Sequence, residues 1–317
     1  MTECGQCVST RRGAAATAGV WLSALVMAAH ALAQATQGRP QGPYLGQTPP
    51  GAVPEVFAPG FVSSEGHEFA CSFTPDGREF YFTRRASLQS RTLVMVTRMV
   101  NGTWSVPEPA SFNDPAARLT FEPLVTPDGR RLYFSSDKPL EGGAAQGGPP
   151  TMNTWYVERE GDGWSEPRNP GAPFNPMRSM FSTMTAAGVI YTTDISPGMG
   201  NERIGVARPE GGAYRYIERL GPPVNAGAGS LYPYVAPDER YLLFTRRQGG
   251  PGSPTDLYVS FRGPDGSWDE PRPVPLGMPA GAATVSPDGR FLFFSGGERG
   301  RGDIYWVSAE VLRAGAR

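Results

Sequence analysis

The sequence predicts an all-β fold, a five-bladed β-propeller closed by an N-terminal strand that completes the last blade. Three observations carry that expectation. A Pro-Asp turn with apolar, β-rich flanks recurs about every fifty residues. Glycine (41) and proline (33) are each about twice their usual share, which suits tight turns and short strands. The last repeat lacks its fourth strand, and a matching segment stands before the first.

The turn is Thr74-Pro75-Asp76-Gly77-Arg78, followed by Glu79-Phe80-Tyr81-Phe82-Thr83. It returns at Thr126 to Arg130, at Ala236 to Arg240 and at Ser286 to Arg290. The four aspartates, Asp76, Asp128, Asp238 and Asp288, are 52, 110 and 50 residues apart, so the middle gap holds two periods. A decayed fifth copy fills it, Thr185-Ala186-Ala187-Gly188 before Val189-Ile190-Tyr191-Thr192. Proline presets φ for the first corner, aspartate bonds its own backbone, and glycine accepts the left-handed residue. Each copy therefore joins two strands as a hairpin, and its aspartate is structural.

A third strand is expected at Leu93–Val96, Trp155–Val157, Ile204–Val206, Asp256–Val259 and Asp303–Val307. In the second unit it is delayed by a Gly/Pro-rich insertion, Glu141 to Pro150, expected as a surface loop. Arg301-Gly302-Asp303 spells an adhesion tripeptide but aligns with a strand start and is read as part of that strand. A fourth, outer strand is expected around Trp104, Trp164, Tyr214 and Trp268. Each of those tryptophans precedes a proline (Pro107, Pro167, Pro271) by three residues, and proline belongs on an edge. The tryptophans are expected to pack between units. Val53-Pro54-Glu55 matches Val106-Pro107-Glu108, so the segment near Val53 is expected to pair with Ile304–Val307 and close the ring. A six-bladed ring, with one decayed unit near the N-terminus, is the alternative.

Ahead of the repeats, Arg11 and Arg12 precede an uncharged run from Gly13 to Ala29, short for a membrane span and suited to a signal peptide. Ala31-Leu32-Ala33 and Ala33-Gln34-Ala35 are both legal cleavage sites. The domain reading is residues 1–33 signal peptide, 34–50 flexible lead-in and 51–317 a single propeller, located in the periplasm or secreted. After cleavage one cysteine, Cys71, and one histidine, His67, remain. No integral membrane span, no intramolecular disulfide, no metal and no cofactor are then expected.

The Pro-Asp-Gly-Arg hairpin with the Asp-Ile-Tyr strand resembles the WD40-like repeat of TolB-type β-propellers of bacteria, over about Val53 to Ser308. The resemblance implies an envelope or secreted protein that presents a propeller surface to partners.

The net charge is −1, which gives no bulk reason to bind nucleic acid. A single histidine offers at most one member of one catalytic triad. A non-catalytic binding module or scaffold is expected, monomeric, for an envelope protein, a peptide or a glycan. Glu68, Arg118, Glu122, Arg178 and Tyr232 are its candidate channel-mouth residues. The competing expectation is a glycoside hydrolase with Glu68 and Glu122 as channel-facing carboxylates, a chemistry that needs no histidine or metal.

Overall fold

The computed structural model describes residues 38–140, 152–176, 178–215, 217–227, 229–250, 252–298 and 301–313. Chain contacts separate Met1–Arg39 from Pro40–Arg317. The expected signal peptide and the Glu141 to Pro150 insertion lie outside the described residues.

From Pro40 onward the chain is a five-bladed β-propeller. The inner strands are His67–Phe73, Thr120–Val125, Ser179–Met184, Ser230–Val235 and Ala280–Val285. Each pairs antiparallel with a second strand through the repeated hairpin, and each second strand with a third. The last blade is completed from the N-terminus: Glu55 faces Trp306, Val56 faces Tyr305, and the Phe57 N–H donates to Ile304 O (2.8 Å). That is the closure expected from the missing strand, and the expected fifth copy forms the hairpin of blade three.

The turns hold for local reasons. Thr74 Oγ1 donates to Asp76 Oδ1 (2.6 Å), the Arg78 N–H donates to the same oxygen (3.0 Å), and the Glu79 N–H donates to Thr74 Oγ1 (3.0 Å). Blades two and five repeat the set at Thr126–Asp128 and Ser286–Asp288. Burial pushes the Asp76 carboxyl up, but the bonds from Thr74 and Arg78 outweigh it and hold it below its ordinary value.

Two expectations are revised. In blade one the strand around the tryptophan is not the outer edge itself, whereas in blade two Gly163–Trp164 is the fourth strand, as expected. In blade one Thr103–Trp104 extends the third strand's hairpin, and the edge pairing is made by Glu108–Pro109, on Val96 and Met95. Pro107 stands between the two pieces, because it can donate no ladder bond there. The lead-in is also packed from Pro40 on. Pro40 O accepts from the Trp104 N–H, Gly42 O from Trp104 Nε1, and Tyr44 lies against Phe73, Phe291, Phe293 and Trp306. Low average hydrophobicity across 34–50 conceals an anchor of two residues, Tyr44 and the buried Leu45.

The tryptophans fill the seams between blades, as expected. Trp164 of blade two donates from Nε1 to Tyr81 Oη of blade one (2.8 Å). Tyr81 donates to Glu79, Glu79 pairs with Arg159, and the Arg159 guanidinium lies 3.9 Å from the Trp164 ring centre. Between blades three and four, Tyr191, Trp268, Arg262 and Glu239 repeat this arrangement.

Candidate functional site

The site is built from one backbone irregularity repeated in every blade. Each inner strand carries a bulge, and at each bulge one non-glycine residue has positive φ: Ala70 (45°), Glu122 (59°), Phe181 (44°), Tyr232 (53°) and Ala282 (45°). A Cβ is disfavoured in that region, by on the order of 1 kcal/mol or more per residue. Ala70, Phe181 and Ala282 form one apolar cluster with Phe69 and Tyr232 packed on it. Residues from four blades meet in that cluster, so the bulges form a ring around the propeller axis.

The ring is tied to its neighbours by a recurring bond. The Ala70 N–H donates to Ser295 Oγ of the preceding blade (3.0 Å), Glu122 N–H to Thr83 Oγ1 (2.9 Å), and Tyr232 N–H to Thr193 Oγ1 (2.9 Å). The seam between blades two and three departs from this. Ser135, the residue in the corresponding place, donates to Glu122 Oε2 (3.2 Å), and the Phe181 N–H donates to that same oxygen (3.0 Å). A carboxyl has been inserted where three of the other four seams use a hydroxyl alone.

Glu122 is 5% exposed, and its Oε1 has no hydrogen-bond partner among the described residues. Burial pushes its pKa up to about 8, against the opposing pull of the bonds from Ser135 and Phe181. Tyr232 packs edge-on against Phe181 (5.3 Å). Its phenol is pushed up, first by burial and then by the Glu122 carboxyl, so both groups are neutral near pH 7.

Of the five predicted residues, the structure brings Glu122 and Tyr232 together at the ring. Arg118 and Arg178 are exposed just before the inner strands of blades two and three, at the mouth end of the channel. Glu68 is different. It is fully buried, its Oε1 lies 2.7 Å from Arg84 Nε, and it accepts from the Ser64 N–H and Ser64 Oγ. Glu68 and Glu122 also occupy unequal places in the repeat. The counterpart of Glu122 in blade one is Ala70, 52 residues earlier, the same separation as Asp76 and Asp128. Counting back from the turn aspartates would have separated the two carboxylates.

Sequence reading missed several neighbours of the site. Phe69 and Phe121, partly exposed, stand beside each other (6.2 Å), with Phe69 packed on the ring cluster. His67 stacks on Phe69 and accepts through Nδ1 from the Gly302 N–H (2.8 Å), and burial lowers its pKa. Arg247 and Glu202 form a buried ion pair (2.8 Å) between blades four and three. These residues lie outside the turn motif, although Phe69 and Phe121 do recur at the 52-residue spacing of Asp76 and Asp128. A second repeat signal was passed over: Asn113, Asn175 and Asn225 each bond both the N–H and the C=O of a third-strand residue, Val94, Thr154 and Ile204.

The opposite end of the channel is a funnel of about 460 Å³ lined by the hairpins, with Pro75, Pro127, Pro237 and Pro287 on its wall. Its lining includes Ser72, Leu124, Thr183, Tyr234 and Thr284, each two residues past a ring position, and none of the ring residues. The ring thus belongs to the side of the channel where the inner strands begin. Among the described residues no cluster of three metal-ligating side chains occurs, and no helix is long and apolar enough to cross a membrane.

No family model matches the sequence, and no curated protein matches it. Solved structures do resemble the fold. TolB from Acinetobacter baumannii aligns at 15% identity over 80% of this chain and 54% of its own, with a TM-score of 0.48. This chain therefore spans about half of that protein's length. The catalytic domain of an α-L-arabinofuranosidase from Coprinopsis cinerea aligns at 9% identity over 82% of this chain and 97% of its own, TM-score 0.48. Hydrazine synthase from Kuenenia stuttgartiensis aligns at 14% identity over 74% and 57%, TM-score 0.40. The chemistry of this chain is therefore read from its own residues.

Proposed function

We propose that this is an exported propeller that acts as a binding module for an envelope protein, a peptide or a glycan, engaged at the mouth where the inner strands begin. The observation that carries this reading is the fate of the two carboxylates. A glycosidase of the usual kind needs two carboxyl groups facing one substrate, about 5–10 Å apart. Glu68 is closed off by Arg84 and Ser64, which leaves Glu122 without it as a working partner. What the mouth does offer is recognition chemistry: two exposed arginines, Arg118 and Arg178, and partly exposed Phe69, Phe121 and Tyr232.

The second reading, a glycoside hydrolase, has one observation in its favour: a buried carboxyl with its pKa pushed up to about 8 is a plausible general acid. The two readings part in one experiment. The mature protein is assayed on a polysaccharide panel and used as bait on envelope extract with crosslinking. Turnover that disappears in Glu122→Gln would overturn the binding reading. Capture that disappears in Arg118→Ala, with the fold intact by circular dichroism, supports it.

A further inference from the structure

Within the binding reading, on which this step rests, we infer that the throat above the ring recognises a primary ammonium group on an aliphatic chain. Glu122 Oε1 is its acceptor, and Phe69, Phe121, Phe181 and Tyr232 are its aromatic wall. Three independent observations lead there.

The first is that the fold does not need a glutamate at 122. Ala70 and Ala282 hold the same ring position in blades one and five. In three seams a Ser or Thr of the preceding blade caps the ring N–H unaided. Ser135 is present to do the same for Phe181, yet it is bonded to the carboxyl instead. A buried acid at a left-handed position is disfavoured twice over, by desolvation and by backbone geometry.

The second is the use of the two oxygens. Oε2 accepts from two donors, Ser135 Oγ–H and Phe181 N–H, so it cannot carry the proton of the neutral acid. The proton sits on Oε1, which has no protein partner among the described residues. A ligand donor arriving at Oε1 meets the one open valence of an otherwise fixed carboxyl.

The third is the wall. Phe69–Phe121 and Phe181–Tyr232 are paired rings (6.2 and 5.3 Å), and Phe69, Phe121 and Tyr232 keep partial exposure. Aromatic faces attract cations and cover methylene groups, and a buried carboxylate is tolerated when it is paired with a cation. An alkylammonium satisfies both surfaces, whereas a neutral alcohol satisfies only the wall. The other charged groups packed nearby are engaged: Arg247 with Glu202, and Arg84 with Glu68. Tyr232 stays neutral, and His67 lies beyond Phe69. Glu122 is therefore the group that titrates when the ligand binds.

Binding transfers a proton. In the free protein near pH 7 Oε1 bears hydrogen; in the complex the carboxylate is ionised against R–NH₃⁺, and that hydrogen is released to the buffer. The sources of such a group are a free alkylamine or a lysine side chain of a peptide, whose acidic neighbours would suit Arg118 and Arg178.

The test is calorimetric titration of the mature protein with n-hexylammonium chloride, with the capped peptide acetyl-Asp-Lys-Asp-amide and with 1-hexanol. Two buffers of different ionisation enthalpy are used, neither a primary amine. The ammonium probes are expected to bind with release of close to one proton at pH 7, and hexanol to bind at least tenfold more weakly. Affinity should rise up to about tenfold per pH unit until the carboxyl is ionised, at a pH of about 8, and then level. Glu122→Gln should weaken binding at least tenfold and abolish proton release. Glu122→Ala, which installs the residue already tolerated at 70 and 282, should do the same in a folded protein. Tighter binding of the peptide, lost in Arg118→Ala, assigns the ammonium to a lysine; equal binding assigns it to a free amine. Wild-type affinity in both Glu122 variants, or hexanol binding as tightly as hexylammonium, overturns the inference. If it fails while Arg118-dependent capture from envelope extract persists, the binding module stands without this ligand. Polysaccharide turnover would instead remove the module reading itself.

Discussion

At position 122 the chain buries a carboxyl where blades one and five bury a methyl group. That choice has a consequence for stability that needs no ligand. In the unfolded chain a glutamate titrates near pH ~4.3, and in the fold Glu122 titrates at about 8. Between those values the folded state holds the extra proton, so this group's contribution is fully present below about pH 4 and is lost as pH rises through about 8. The denaturant midpoint of the wild type should therefore fall between pH 5.5 and roughly 8.5, and Glu122→Gln should flatten that slope. Equal slopes in both proteins would contradict the assignment. Glu68 makes the opposite test. Its charge is used for structure, so Glu68→Gln should destabilise by about 1–3 kcal/mol, read from the same midpoints, because Arg84 loses its partner. A Glu68→Gln protein of wild-type stability would reopen its candidacy as a functional carboxylate.

Among elements, substitutions in the buried tryptophan contacts should cost more than substitutions in the turns. Trp104 is wholly buried between its own blade and the N-terminal segment, and Nε1 is satisfied by Gly42 O. Trp104→Ala should cost about 3–5 kcal/mol, the usual range for deleting a buried aromatic. The asparagine clamps are the second element-scale device. Asn225 accepts from the Ile204 N–H and donates to Ile204 O and Leu220 O, so it ties the linker to the third strand of blade three. Asn225→Ala leaves those groups without partners and should cost about 1–3 kcal/mol by urea denaturation, whereas a change in an exposed hairpin arginine such as Arg78→Ala should stay within about 0.5 kcal/mol.

For the whole molecule, closure is the decisive interaction. Blade five has no fourth strand without Glu55–Val56, and Phe57 follows them into a core shared with Phe80, Phe293 and Trp306. Phe57→Ala should lower stability by about 3–5 kcal/mol and leave blades one and five as the first to open in hydrogen exchange. Uniform protection across all blades in that variant would argue that the ring is held elsewhere. The proposed export has its own check at this scale: N-terminal sequencing of the native protein should begin at Gln34 or Thr36, and an intact Met1 would refute it.

The turn chemistry, the blade count and the missing strand were legible in the sequence because they repeat. A Thr-Pro-Asp-Gly hairpin is decided by φ preferences and by bonds within five residues, so it reads the same in isolation as in the fold. The seam tryptophans were legible for the same reason. The lead-in was misjudged from Pro40 onward because two side chains, Tyr44 and Leu45, fix it through contacts with blades on both sides of a seam. The site lies at the other extreme. Glu68 and Glu122 look alike as residue types, and packing gives them different roles: one meets Arg84 within its own blade, the other meets Ser135 within its own blade and the Phe181 N–H across a seam. Local sequence determined the repeated unit, since its forces act over a few residues. The ring, the buried acid and its open oxygen were decided by five distant strands meeting on one axis, a juxtaposition that exists only once the propeller has closed.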